Sequence, residues 1–458
     1  MSAVGLGSQQ SLSAAKPFPL PQYAWYALGI FFLAAVLSYT DRLILNLLVD
    51  PIRHDLHITD TQVSLLQGAA FAVIYAFISL PLGRYVDSHK RRNIIAAGVL
   101  IWSLATALCG VASSFGALFA ARIFVGVGEA TLAPAVMSLI PDYFPEHRRG
   151  TAYGIFLTGM TMGAGAAMLM GGALFEGFHS GRLSAVPLMG HMVPWRAVLI
   201  ALSLPGYLVM GLVLTVREPA RQDTLTSGNR RQAGSHFAIT VGYFKDNRRT
   251  FAYLFSAFAL LNLVSYGCAA WLPSVFVRHF GMTQGQVGNE LGVVSLAGTA
   301  IGAMLGGLLS DRVVRQGGAA AVLRFTLWTS AATLPLLVSS ILPSVSLVLV
   351  VYFAFLVVGC MVGTASITAI QNAVPGDMRG FSVAIQAFVY TLVGLGLGPT
   401  VIALATQYVY RDPGAVGLAM VTVAVPVTVA GTFLVWLALP HYELTHRRLA
   451  AADGAGDE

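Results

Sequence analysis

The chain contains the stretch Gly83-Arg-Tyr-Val-Asp87-Ser-His-Lys-Arg91, and its skeleton returns in the second half as Gly307-Leu-Leu-Ser-Asp311-Arg-Val-Val-Arg315. Each copy lies where a long apolar segment ends. A second pair of stretches, Pro145-Glu-His-Arg-Arg149-Gly150 and Pro375-Gly-Asp-Met-Arg379-Gly380, follows at nearly the same separation. Two landmarks repeated in the same order predict a chain of two related halves rather than a string of unrelated apolar helices.

The composition excludes an ordinary soluble protein. Of the 458 residues, 56% are hydrophobic and only 10% are charged, whereas a soluble domain carries about 25% charged residues. The net charge of +7 does not indicate a nucleic-acid partner, because the basic residues lie in short connections between apolar runs. Anionic lipids and the orientation of the chain in the membrane explain them there.

The apolar segments predict an all-α integral membrane protein with 12 transmembrane helices in two pseudo-symmetric six-helix bundles. The spans predicted in the first half are Tyr23–Val49, Thr61–Val86, Asn93–Ala112, Gly116–Ile140, Gly150–Leu174 and Trp195–Val216. Those in the second half are Phe251–Val277, Gln286–Leu309, Ala319–Leu342, Ser344–Ala369, Gly380–Ala405 and Ala415–Leu439.

We divide the chain accordingly into five parts. They are a disordered cytoplasmic N-terminus (1–22), an N-terminal bundle (23–216), a cytoplasmic linker with an interfacial helix (217–250), a C-terminal bundle (251–440) and a cytoplasmic tail (441–458). The orientation follows from the positive-inside rule, since most of the 27 Lys and Arg residues fall on one side when both termini are placed in the cytoplasm. The outer connection 175–194 suggests no function.

The repeated Gly-x-x-x-Asp-x-x-x-Arg signature has two interpretations. Glycine lets two helices approach closely, and a carboxylate at a helix end can pair with arginines or with the amide end of a neighbouring helix. We interpret the signature as a cytoplasmic gate made of Gly83, Asp87, Arg91, Asp311 and Arg315. The alternative is a basic loop that only orients the chain.

Four ionisable residues stand inside predicted spans of the first half: Asp41, Arg42, Arg122 and Glu129. Each charge near mid-membrane costs about 2.5–3.5 kcal/mol on insertion scales, so keeping four calls for an explanation. At a rise of about 1.5 Å per residue, Arg122 lies level with Asp41, and Glu129 lies deeper. The simplest pairing joins Asp41 to Arg122 and Arg42 to Glu129.

Duplicated halves with intramembrane charges are typical of alternating-access transporters, whose site lies between the repeats. We assign Asp41 and Glu129 as proton-coupling sites, because no predicted span contains histidine. Arg42 and Arg122 are their charge partners and the candidate substrate contacts. We expect Glu129 to take a proton when an anionic substrate draws Arg42 away. A purely structural charge network is the alternative.

Motifs of other function classes are missing from the sequence. There is no Walker motif, no Gly-x-Ser-x-Gly elbow and no His-Glu-x-x-His zinc motif. We therefore expect no enzyme, no catalytic residue, no metal and no cofactor, with a proton gradient as the energy source. Cys109, Cys268 and Cys360 fall inside predicted spans and are interpreted as small buried hydrophobes.

These motifs resemble the major facilitator superfamily. The repeated signature is similar to the family's loop motif after the second and eighth helices, and Arg122-Ile-Phe-Val-Gly126-Val-Gly128-Glu129-Ala130 is similar to its fourth-helix motif. The fifth span matches the glycine spacing of the antiporter motif but has Met168 in place of proline. Symport, antiport and uniport therefore stay open. Tyr39-Thr-Asp41-Arg42, Leu65-Leu66-Gln67 and the Glu129 motif narrow the resemblance to the Spinster lipid-transporter family.

The resemblance implies a central cavity lined by the first, fourth, seventh and tenth spans. In the second half, the candidates for lining it are Asn262, Tyr266, Trp271, Met361 and Thr364. A charged wall facing an aromatic and apolar wall suits an amphiphile with a polar head and a long tail. Ordinary packing between helices is the alternative for each of these residues.

The function implied is proton-coupled transport of a lysolipid or sphingoid-type amphiphile across the inner membrane of a bacterium, by a monomer. Tyr-x-Asp-Arg also occurs in organic-anion symporters of the superfamily, so a symporter of a hexuronate or an aromatic acid is the alternative. The expected partners are this substrate, membrane lipids and protons, with no nucleic acid.

Overall fold

The structure is a computed structural model in which residues 18–221, 239–318 and 320–454 are described. These residues form helices and turns, with no strand among them. The described residues include 12 helices that are long and apolar enough to cross a membrane. We number them α1 Pro21–Asn46, α2 Asp60–Ser79, α3 Arg91–Val111, α4 Phe115–Tyr143, α5 Glu146–His179, α6 Pro194–Thr215, α7 Arg248–Phe280, α8 Gln284–Gly317, α9 Ala321–Ile341, α10 Val345–Asn372, α11 Arg379–Tyr410 and α12 Pro413–Leu449. The predicted fold class is confirmed.

Several helices extend beyond the predicted spans. The helical part of α2 continues to Ser88, and that of α12 continues to Gly454. A short helix, Val49–Leu56, connects α1 with α2. Residues 239–246, which belong to the predicted linker, are helical, and Phe244 packs on Phe251 with ring centroids 4.4 Å apart. The N-terminal stretch 1–22 was predicted to be disordered. Its residues 1–17 lie outside the described part of the chain, which begins at residue 18.

Small residues set the distances between helices. In the first half, a Cβ placed on Gly163 of α5 would lie 2.7 Å from the carbonyl oxygen of Val36 in α1. In membranes, helices associate mainly through such close packing, because lipid tails are as apolar as the side chains they replace. The glycine-rich sequence of α5 therefore fixes α5 against α1.

The two ends of the bundle differ, and we name them after residues that lie there. The Arg91 end holds the ion pairs of Arg91 with Asp142 and Glu218. The Arg278 end holds the ion pairs of Arg278 with Asp50 and Asp60. The first set lies within one half of the molecule, whereas the second joins the two halves.

The two halves are packed together toward the Arg278 end. A Cβ on Gly172 of α5 would lie 2.8 Å from the Cα of Gly288 in α8, and a Cβ on Gly68 of α2 would lie 2.5 Å from the carbonyl oxygen of Leu395 in α11. Toward the Arg91 end, glycines of both halves meet nothing within 4 Å of a Cβ; these are Gly83, Gly150, Gly307 and Gly380. The molecule is thus closed at the Arg278 end, and its halves diverge toward the Arg91 end.

Candidate functional site

Three helices of the first half are interrupted at the level of the four intramembrane charges. The α-helical part of α1 ends at Leu43 and a 3-10 turn follows. Helix α2 breaks at Gly68, whose φ is −111° and ψ is −82°. Helix α4 breaks at Ala130 and Thr131, directly after Glu129. Broken helices release backbone carbonyls that need a partner inside a membrane, and they commonly mark the binding site of a transporter.

Arg122 satisfies carbonyls at two of these breaks. Its guanidinium donates to the backbone oxygens of Asp41 and Arg42 at 3.1 Å each and to that of Leu66 at 3.2 Å. A cation at the carboxyl end of a helix is favourable because the last carbonyls are unpaired and the helix dipole is negative there. Arg122 therefore joins the ends of two helical segments to α4.

The predicted pairing of the Asp41 and Arg122 side chains is wrong. Asp41 is 3% exposed, and its Oδ1 has no hydrogen-bond partner in the described part of the chain. Arg122 lies at the predicted level, but it bonds the backbone of Asp41 because that backbone leaves the α-helix within three residues. The carboxylate is left buried and without an ion pair, and such a group is costly to keep charged.

The predicted pairing of Arg42 with Glu129 is confirmed. Arg42 donates from Nη2 and Nε to Glu129 Oε2, at 2.8 and 3.1 Å, and Ser38 Oγ donates to the same oxygen at 2.9 Å. Glu129 is 1% exposed and Arg42 6%. The second carboxylate oxygen, Oε1, has no partner among the described residues. The pair is therefore buried but incompletely satisfied.

Aromatic rings surround the Arg42 guanidinium. Its Cζ lies 4.5 Å from the ring centroids of Tyr39 and Phe71 and 4.8 Å from that of Tyr75. Ring faces attract a cation, most strongly away from water. Tyr266, from α7, lies near Tyr39 and Arg42. The second half thus contributes one of the predicted cavity residues to the surroundings of Arg42.

A layer of polar contacts closes the molecule immediately beside this site. Gln67 donates to Asn46 Oδ1 at 3.1 Å and to the backbone oxygen of Ala270 at 3.2 Å. Farther toward the Arg278 end, Arg278 reaches Asp50 at 2.7 Å and Asp60 at 2.8 Å across the interface. These contacts separate the Arg42–Glu129 pair from the Arg278 end.

The Arg278 ion pairs were not predicted from the sequence. Arg278, Asp50 and Asp60 lie near the ends of separate helices, and nothing in the local sequence indicates that they meet. In the chain, Arg278 stands more than two hundred residues from each of the two aspartates. Only the packing of the two halves brings them together.

The other predicted cavity residues have different surroundings. Trp271 is 0% exposed in this conformation and donates from its indole nitrogen to the backbone oxygen of Pro399 at 2.8 Å, so its place in the cavity stays a prediction. Asn262 donates to the backbone oxygen of Tyr390 at 3.3 Å. Met361 and Thr364 are half-buried on the face of α10 that packs on Gly306 of α8.

A cavity inside the second half carries more polar groups than the sequence suggested. It has a volume of about 60 Å³ and is lined partly by Asn262, Ser265, Ser366, Tyr390 and Thr428. The side chain of Gln386 donates to Ser366 Oγ at 3.1 Å and to the Tyr390 hydroxyl at 2.5 Å. Sequence reasoning missed this set because single hydroxyl residues are common in membrane helices and carry no spacing signal.

The predicted cytoplasmic gate is not assembled in this conformation. Arg91 is bound within its own half, to Asp142 at 2.6 Å and to Glu218 at 3.0 Å. Asp311 and Arg315 are exposed and form no ion pair with a described residue, and a Cβ on Gly83 would meet open space. Asp87 lies on the described helix, but its side chain lies outside the described part.

The arrangement offers no metal site. Among the described residues, no group of His, Cys, Asp and Glu side chains has a metal-binding arrangement.

Comparison with known proteins agrees with this architecture. The family model described as "Major Facilitator Superfamily" matches residues 31–399. A protein called "MFS-type efflux pump", from Mycolicibacterium smegmatis, is 27% identical over 92% of this chain and 94% of its own length. A probable galactarate/D-glucarate transporter of Bacillus subtilis is 26% identical over 64% of this chain and 66% of its own length.

Among solved structures, the chain is similar to a bacterial homologue of the human lysosomal transporter Spinster, in an inward-facing and unoccupied conformation. The TM-score is 0.75 at 25% identity, covering 94% of this chain and 98% of the other. The chain belongs to the major facilitator superfamily, and the resemblance to Spinster is confirmed. It is a multi-pass membrane transporter with 12 spans, and it is not an enzyme.

Proposed function

We propose that this transporter works by alternating access and couples the binding of an anionic substrate to the uptake of a proton at the Arg42–Glu129 pair. The observation that carries the proposal is the position of this pair. It is buried at three helix breaks, directly beside the layer of contacts that closes the molecule. A ligand bound at Arg42 therefore lies where the two halves separate.

The proposed cycle rests on competition for the Arg42 guanidinium. In the present state Arg42 is bound to Glu129 Oε2. When an anionic head group takes that place, Glu129 loses its counter-charge in a desolvated site and accepts a proton. Asp41, which is buried without an ion pair, is the second proton site. The molecule then opens at the Arg278 end and closes at the Arg91 end, and this conformational change links proton release to substrate release.

Arg122 has a different role in this proposal. It bonds backbone oxygens rather than a carboxylate, so it fixes the broken ends of α1 and α2 in place. We propose that it positions Arg42 for the substrate and does not itself exchange partners.

The proposed substrate is a lysolipid or sphingoid-type amphiphile with an anionic head. The head group would lie against Arg42 within the aromatic rings, and the tail would lie along the apolar helices of the second half, near Phe258 and Phe355 of the internal cavity. The similarity to a Spinster homologue supports this substrate class. The protein would act as a monomer in the inner membrane of a bacterium, with the Arg91 end facing the cytoplasm.

A sugar acid is the second candidate substrate, and one observation favours it. The cavity of the second half is lined by several hydroxyl and amide groups, which suit a polyhydroxylated molecule better than an acyl chain. The likeness to a probable galactarate/D-glucarate transporter points the same way. In this alternative, Arg42 would bind the carboxylate of the sugar acid.

Substrate-dependent proton flux into liposomes tests both candidates. We expect lysophospholipid, but not glucarate or glucuronate, to drive proton movement by the parent protein. Glu129→Gln should abolish the coupling, whereas Glu290→Gln, which changes an exposed carboxylate outside the site, should keep it. Full proton-coupled uptake by both Glu129→Gln and Asp41→Asn would show that the coupling sites are wrong. Proton flux with sugar acids but not with lysophospholipid would favour the second candidate substrate over the lipid.

A further inference from the structure

A basic pocket lies at the Arg91 end, away from the transport site. It is formed where residues 239–246 meet the first turn of α7 and the last turns of α12, and it has a volume of about 290 Å³. Its lining includes three arginines: Arg248 and Arg249 from α7, and Arg448 from α12. The pocket is thus made of two helices that are far apart in the chain.

The floor of the pocket is built from buried polar side chains. Thr250 and Thr445 are 2% and 3% exposed, and their hydroxyls form a hydrogen bond of 2.9 Å between α7 and α12. Thr445 also bonds Asn247 Oδ1 at 3.2 Å. These bonds hold the two helix ends at a fixed separation, so the arginines surround a preformed space.

The charge of the pocket is not neutralised from within. Arg248, Arg249 and Arg448 are exposed, and none of them forms an ion pair with a described residue. Asp246 is the single carboxylate among the lining residues. Guanidinium groups bind phosphate oxygens through paired hydrogen bonds. The chemistry that suits the pocket is therefore that of a phosphate-bearing anion.

The position of the pocket favours a lipid over a dissolved anion. Arg248 and Arg448 lie just beyond the apolar parts of α7 and α12, which is the level of lipid head groups. Leu444, exposed at 52%, lines the same pocket and supplies apolar surface beside the charges. Basic pockets between membrane helices are a known way of holding anionic head groups.

We propose that this pocket binds the phosphodiester head group of an anionic phospholipid, with Arg248 and Arg448 as the main contacts from its two sides. The lipid would join the end of α12 to the start of α7, where the linker enters the second half. This site is separate from the Arg42–Glu129 pair and does not depend on the substrate of the transporter.

Native mass spectrometry of the purified full chain, titrated with phosphatidylglycerol, tests the proposal. We expect Arg248→Gln/Arg448→Gln to weaken the tightest binding event about 30-fold, at about fivefold for each arginine. The matched control is Arg312→Gln/Arg447→Gln, which removes the same charge from exposed arginines that do not line the pocket. The control should bind phosphatidylglycerol with the affinity of the parent. The affinity of Arg448→Gln alone should lie between those of the parent and of Arg248→Gln/Arg448→Gln.

Three results would overturn the proposal. Equal loss of affinity in both double variants would show that any surface arginine at this end contributes, and no loss in either would show that the pocket is not used. Titration with inorganic phosphate separates a lipid from a free anion. Phosphate displacing phosphatidylglycerol at equal concentration would assign the pocket to the dissolved ion.

Discussion

Replacement of Arg278 by glutamine is expected to open the end of the molecule that is closed here. Arg278 is bound to Asp50 and Asp60 of the opposite half, and these are the cross-half ion pairs that the described residues form. The same residues would face water once the halves separate at that end. The substitution therefore acts on one conformation and leaves the other nearly unchanged.

The magnitude follows from how deeply the pair is buried. The side chains of Arg278 and Asp60 are 9% and 4% exposed, and that of Asp50 is 20% exposed. Removing one partner of a buried pair costs about 3–5 kcal/mol. Asp60 keeps Arg53 at 3.2 Å, which lowers the cost to about 2–3 kcal/mol. That free energy corresponds to a shift of about 30- to 150-fold between the two states.

Distances between spin labels at the Arg278 end measure this shift. Labels on His54→Cys and Arg411→Cys, both exposed there, in a background without the native cysteines, should show a new longer distance in Arg278→Gln. Arg53→Gln is the matched control, because it removes the other cation beside Asp60 without touching the contact between halves. The reasoning is refuted if Arg278→Gln keeps the distances of the parent, or if Arg53→Gln opens the end equally.

Three further outcomes are expected. Arg122→Lys should lower the stability measured by thermal unfolding by about 2–3 kcal/mol, since the compact ammonium of a lysine cannot spread across carbonyls at two helix ends as the planar guanidinium does. Asp41→Asn, measured in the same way, should cost less or stabilise. Gly288→Ala should favour the state open at the Arg278 end, because the Cβ of the new alanine would collide with α5. The control Gly150→Ala, whose Cβ would meet open space, should not shift the two states. Crosslinking across the Arg278 end would detect the difference. Glu129→Gln should retain substrate binding while uptake no longer responds to a pH gradient, measured with labelled substrate in liposomes.

The sequence predicted the fold because few backbone structures can span a membrane. Long apolar segments gave the number of helices, and the repeated signature at Asp87 and Asp311 gave the two halves. It did not predict which conformation the halves adopt. That depends on contacts such as Gly172 with Gly288, whose partners lie in different halves and have no local pattern in common.

The charged site was predicted in part, and the errors have physical causes. The rise along ideal helices placed Arg122 level with Asp41 and within reach of the neighbours of Asp41. The side chain of Asp41 was the wrong partner for Arg122, because an unbroken α1 was expected. The break of α1 at Leu43 supplies carbonyls that compete for the guanidinium. The sequence itself separates Trp271 from Tyr266. Trp271 lies five residues after Tyr266, about 140° around the helix, so the two cannot share one face.

In the proposed mechanism, the position of the helix breaks links the charge pair to the closure of the molecule. Arg42 belongs to the last α-helical turn of α1, and Asn46, four residues later, already lies in the closing layer with Gln67. Movement of Arg42 away from Glu129 therefore acts on a segment that holds the two halves together. An unbroken helix would transmit such a movement along its whole length, whereas the 3-10 turn at Ile44–Asn46 confines it to the contact between the halves. A ligand that binds Arg42 thus has a direct physical route to the closure at the Arg278 end.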